Sequence, residues 1–113
     1  MFSERGLAID TIAQSGTAAP EAYFERGLEF ARQNRWSEAR TALEEGEKLA
    51  PFDKRFPLEL AGIAFKVKDL NASKKYLHRA LSLDSQDRYG NEFLATVYYL
   101  EGNVESALKY WNR

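Results

Sequence analysis

The chain has 113 residues, of which 44% are hydrophobic and 29% charged, with a formal net charge of −1 and no cysteine. That length supports one compact domain with a modest core and rules out disulfides and thiolate metal sites. The near-zero charge leaves no electrostatic footprint for nucleic acid or an anionic membrane surface, and no apolar run is long enough to cross a bilayer.

The opening stretch, "MFSERGLAIDTIAQSG", lacks a basic segment followed by an apolar block, so it does not read as a signal peptide. Residues 3–15 read as a helix, with Ser3 as cap, Glu4 in the first turn and a strip of Ile9, Ile12 and Ala13. Residues 1–19 are thus an N-terminal helix and linker. From Pro20 onward the apolar residues recur at helical spacing: Tyr23, Gly27, Phe30 and Asn34 share one face, as do Trp36, Ala39, Leu43 and Gly46. The pattern predicts helices at 21–33 and 37–49, 55–67 and 71–83, 89–101 and 105–113. Pro20 precedes the first, Pro51 stops the second, and Pro57 belongs in the first turn of the third.

These elements repeat at an offset of 34 residues. Gly27, Ala61 and Ala95 fall into register, all small, and so do Ala39, Ser73 and Ala107. Leu43, Leu77 and Trp111 align as large apolar residues. Trp36, Leu70 and Val104 each follow a polar turn: Asn34-Arg35, Lys68-Asp69 and Gly102-Asn103. Small residues let paired helices approach while large ones fill the remaining gap. By that logic Tyr98 and Trp111 are expected to meet across the third turn, with Tyr99 and Tyr110 pointing elsewhere.

Tyr23, Arg26-Gly27, Phe30, Ala39, Leu43 and Pro51 together resemble the tetratricopeptide repeat pattern. Leu60-Ala61, Ser73 and Ala80-Leu81 match in the second unit, and Leu94-Ala95, Tyr98, Gly102-Asn103, Ala107 and Trp111 in the third. Departures are Arg26 at a leucine-like position, Gly46 for alanine, and Pro57 and Asn91 where a bulky residue is common, which predicts looser packing in the first hairpin. The resemblance implies an all-α superhelix, an α–α solenoid of stacked antiparallel hairpins. It divides residues 20–113 into repeats 20–53, 54–87 and 88–113, the last one truncated, and suggests a piece of a larger protein.

In that family the inner surface of the curve, lined by the first helix of each pair, binds extended peptides or partner helices. Carried onto this chain, the partner-binding groove comprises Phe24, Leu28 and Arg32 from the first repeat. Arg55, Leu58, Gly62, Phe65 and Lys66 belong to the second, and Tyr89, Glu92, Thr96 and Tyr99 to the third. Arg32, Arg55 and Lys66 are candidates to hold an acidic group. The carboxylate clamp of chaperone-binding relatives is not expected, because Phe24 and Leu28 stand at its first-repeat places.

Catalysis is not expected. His78 is the single histidine, so no nucleophile–base pair or zinc site can be assembled around it, and it reads as a solvated surface residue. Glu44, Glu45 and Glu47 point in different directions around a helix, and no glycine-rich turn forms a phosphate loop. No cofactor or metal is implied. The expected function is a non-catalytic protein-interaction scaffold with a protein or peptide partner, no nucleic acid and no membrane insertion. The alternative is a structural or oligomerising segment, associating through the N-terminal helix or the truncated C-terminal hairpin. The compartment is left open.

Overall fold

The computed structural model describes residues 19–113, so the helix expected over residues 3–15 lies outside the described residues. Six helices make up the rest: α1 (Pro20–Arg32), α2 (Trp36–Leu49), α3 (Arg55–Lys66), α4 (Leu70–Leu83), α5 (Arg88–Leu100) and α6 (Val104–Trp111). Among the described residues there are no strands. The helices pair as α1 with α2, α3 with α4 and α5 with α6, and α4 also packs on α5. The chain divides into two compact units, the first ending at Pro51 and the second running from Phe52 to Arg113.

One turn is used three times. Asn34 and Lys68 hold φ of 60° and 66°, and Gly102 holds 84°, all in the left-handed region that ends helices. The next residue's N–H reaches back to the helix: Arg35 to the Phe30 carbonyl at 2.9 Å, Asp69 to Ala64 at 2.8 Å and Asn103 to Tyr98 at 2.9 Å. That same residue then caps the following helix. Asp69 accepts from the Ala72 N–H at 3.0 Å and Asn103 from the Ser106 N–H at 3.1 Å. Arg35 has no acceptor to offer, and instead its guanidinium holds Glu38 in the first turn of α2.

In the first unit the helix pair closes around Gly27 and Leu43. A Cβ built at Gly27 would lie 2.5 Å from Leu43 Cγ, and Leu43 is fully buried. At this point the hairpin is close-packed, and leucine occupies the space that a larger residue at 27 would need. Arg26 lays its guanidinium over the Phe30 ring at 5.4 Å, and Arg35 stands over the same ring at 5.2 Å.

The second unit is built on Ala61, Leu77, Leu81, Leu94 and Val97, with Leu58, Phe65, Leu70, Tyr76, Phe93, Tyr98 and Tyr110 packed against them. Ser73 fills a small-residue position, and its hydroxyl donates to the Ala61 carbonyl at 3.0 Å, tying α4 to α3 inside the core. Pro57 lies buried in the first turn of α3, where its missing N–H removes no helical bond. Buried Asn91 donates from Nδ2 to the Ser85 and Asp87 carbonyls, so a hydrogen-bonding residue secures the start of α5 where a bulky one was anticipated. Lys54 joins that region to the start of α3 by ion pairs with Asp84 at 2.5 Å and Asp87 at 2.7 Å. Those hydrogen bonds hold its ammonium well above the ordinary lysine range.

The third hairpin corrects the expected aromatic pairing. Tyr98 stacks on Tyr110, with centroids 5.8 Å apart and planes 9° from parallel, whereas Trp111 leans on Tyr99. Trp111 stays 43% exposed although its equivalents Leu43 and Leu77 are fully buried. The physical reason is volume. An indole does not fit the space that leucine fills beside a small residue on the paired helix.

Candidate functional site

The first helices of the second and third hairpins, α3 and α5, enclose a cleft of about 400 Å³. Its lining is Gly62, Phe65, Lys66, Tyr89, Glu92, Phe93 and Thr96. Phe65 and Phe93 meet edge to face at 5.4 Å and form the floor, and Tyr89 stands against Phe93 at 5.8 Å. Helical spacing accounts for the arrangement. Gly62, Phe65 and Lys66 are three and four residues apart on α3, as are Tyr89, Phe93 and Thr96 on α5.

Gly62 keeps the cleft open. A Cβ placed there would meet nothing within 4 Å, in contrast to Gly27. Polar groups rim the apolar floor. Thr96 returns its hydroxyl to the Glu92 carbonyl at 2.9 Å, and the Glu92 carboxylate accepts from Arg88 Nε at 3.1 Å. Lys66 is exposed and makes no ion pair among the described residues.

Six residues read from the sequence as groove-lining are therefore brought together here, namely Gly62, Phe65, Lys66, Tyr89, Glu92 and Thr96. Others are placed differently. Leu58 packs on the core of the second unit, and Tyr99 contacts Trp111. Arg55 holds Asp53 through Nη2 at 2.8 Å and keeps that carboxyl below its ordinary range. In the first unit Phe24 and Leu28 are half-buried on α1, and Arg32 is exposed and paired with Glu29 at 2.7 Å. Of the three cations considered as anchors for an acidic group, two already carry internal partners.

Sequence reasoning missed Phe93, although its spacing from Tyr89 and Thr96 carried the signal. It also missed a cleft of about 540 Å³ on the first hairpin, walled by Tyr23, Phe30, Thr41 and Ala42 with Ser37, Glu38 and Glu45 around it. His78 is exposed, as expected of a surface residue, and still makes side-chain contacts. Its Nε2 shares a hydrogen bond with the Tyr98 hydroxyl at 3.2 Å, and its ring packs edgewise on Tyr110 at 5.9 Å. Burial, followed by the nearby Lys74 and Lys109 charges, pushes its pKa down. Among the described residues no group of three or more His, Asp or Glu is placed to hold a metal ion, and no helix is long and apolar enough to cross a membrane.

The fold is that of tetratricopeptide-repeat domains, an all-α solenoid of helical hairpins. The chain is similar to the second TPR of Spaghetti (RPAP3), solved bound to the HSP90 peptide SRMEEVD, with a TM-score of 0.79 at 17% identity over 88% of this chain and 93% of that one. It is also similar to MamA from Desulfovibrio magneticus RS-1, with a TM-score of 0.76 at 16% identity over 96% of this chain and 63% of that one. The Yersinia enterocolitica type III secretion translocator chaperone SycD matches with a TM-score of 0.75 at 14% identity, over 90% and 76% of the two chains. No family model matches the sequence, and no curated protein does.

Proposed function

We propose that the protein is a non-catalytic interaction module that binds an extended peptide, with the α3–α5 cleft as the centre of its binding surface. The observation that carries this reading is an aromatic-floored opening of about 400 Å³ over Gly62, at a place where helix packing asks for no glycine. An apolar side chain entering it gains about 1.5–3 kcal/mol on full burial. Similarity of fold to RPAP3 repeats that hold a peptide supports the same class of role. The acidic tail those repeats hold is not the ligand read here, because Arg32 and Arg55 are occupied by Glu29 and Asp53.

The test is binding of the whole chain to an array of immobilised peptides. Tyr89 is 56% exposed, so Tyr89→Ala removes a cleft wall without emptying the core. Spots bound by the wild type should be lost with Tyr89→Ala and kept with Lys75→Ala, which alters an exposed residue on α4. Equal binding by all three proteins refutes the reading.

A second reading has its own observation. Leu100, Val104, Leu108 and Trp111 are all large, apolar and at least 43% exposed on the third hairpin. Such a set favours association through that hairpin, as in a structural or oligomerising segment. Sedimentation equilibrium distinguishes the two: a dimer abolished by Leu108→Glu supports association, and a concentration-independent monomer removes it.

A further inference from the structure

Glu59 stands on α3 one turn before Gly62, on the stripe that also carries Lys66. It is half-buried, yet it has no hydrogen bond or ion pair among the described residues. The cations near it in the chain are committed elsewhere: Lys54 to Asp84 and Asp87, Arg55 to Asp53, and Arg88 to Glu92. Lys66 is seven residues further along, about 10 Å up the helix, beyond the reach of an ion pair.

Two electrostatic consequences follow. Burial pushes the Glu59 carboxyl above its ordinary range, with no opposing partner to bring it down. The Tyr89 phenol is raised first by burial and then by the Glu59 and Asp87 charges, so the carboxylate acts on a residue that walls the cleft. A partly desolvated carboxylate without a counter-charge destabilises a fold. Among the described residues nothing in the packing of α3 compensates for it. A cation arriving with a ligand does.

We infer that the cleft selects a peptide in which a lysine or arginine flanks an apolar anchor, the anchor lying over Gly62 against Phe65 and Phe93 and the cation pairing with Glu59. The inference rests on the peptide-binding reading given above and adds its charge specificity. The spacing is consistent. Glu59 and Gly62 are about 4.5 Å apart along the helix axis, which one or two residues of extended chain span at about 3.3 Å each. An anchor flanked by aspartate or glutamate brings like charge to the same carboxylate and is disfavoured.

The probes are acetylated, amidated hexapeptides with one central tryptophan or leucine and neighbours of lysine, glutamine or glutamate, titrated against the full chain by fluorescence anisotropy. The wild type should bind the lysine-flanked peptides about fivefold more tightly than the glutamine-flanked ones, with glutamate-flanked peptides weakest. Glu59→Gln should level the three series. Gly62→Leu should abolish binding of every series. Indifference to flanking charge in the wild type, a preference for glutamate, or a lysine preference that survives Glu59→Gln overturns the charge assignment alone. Failure of every peptide to bind, or binding untouched by Gly62→Leu, overturns the peptide-binding reading and the charge assignment with it.

Discussion

Gly27 and Gly62 both sit inside the first helix of a hairpin, and they are there for opposite reasons. At Gly27 the space beyond the backbone is full, since a Cβ would lie 2.5 Å from Leu43 Cγ and 2.6 Å from its Cδ2. At Gly62 the space is empty out to 4 Å. Glycine in a helix interior sacrifices roughly 0.5–1 kcal/mol relative to alanine. The first hairpin recovers that loss through a fully buried leucine. The second does not, and the vacancy it keeps opens onto Phe65, Tyr89 and Phe93. Packing explains one glycine, and the proposed peptide ligand is the explanation offered for the other.

The largest expected effect breaks the packed member of the pair. Gly27→Ala overpacks against a leucine that is fully buried, and should lower stability by about 1–3 kcal/mol in urea unfolding. Leu43→Ala relieves that clash, so its own loss should shrink in the Gly27→Ala background, a coupling that a double-mutant cycle reads directly. Additive losses would mean that the two residues do not meet as described.

Next in size is the seam that ties α3 to α4. Ser73→Ala leaves the Ala61 carbonyl without its side-chain donor and should lower stability by about 1 kcal/mol. An unchanged unfolding midpoint would show that the bond contributes nothing. Of similar size and opposite sign, Gly62→Ala should raise stability by roughly 0.5–1 kcal/mol, because the open glycine is relieved of its backbone entropy at no steric cost.

The smallest effect is a pH dependence from His78. Its folded pKa lies below the ordinary 6.5, so the unfolded chain takes up a proton first as the solution is acidified. The His78 contribution is therefore intact above about pH 6.5 and declines below it until the folded pKa is reached. Thermal melts of the wild type and His78→Gln should diverge across that window, the wild type losing more. Parallel curves would mean that the surroundings of His78 do not shift its titration.

Much of the fold is legible in the sequence because one period fixes several things together. Small residues at 27, 61 and 95, large ones at 43 and 77, and turn pairs at 34, 68 and 102 constrain the same hairpin from three directions. Each end of the six described helices consequently falls within two residues of its expected place. The aromatic contacts of the third hairpin are not legible in that way. Trp111 shares a register with Leu43, but register says nothing of volume, and the indole turns out to Tyr99.

The site divides along the same line. Helical spacing brings Gly62, Phe65, Lys66, Tyr89, Glu92 and Thr96 to one cleft, and the same rule applied once more along α5 reaches Phe93. Glu59 is different. Its residue type and position are plain in the sequence, but its lack of a partner among the described residues appears only once Lys54, Arg55 and Arg88 are seen to pair with other carboxylates. Arg32 and Arg55 show the converse, since their charge is legible and their occupation by Glu29 and Asp53 is not.

The account turns on Gly62, and Gly62→Leu reads both halves of it in one protein. The prediction is a variant that melts no lower than the wild type and no longer binds the peptides that the wild type binds. A variant that binds those peptides as before, or one that unfolds more readily because the added side chain has struck a neighbour, contradicts it.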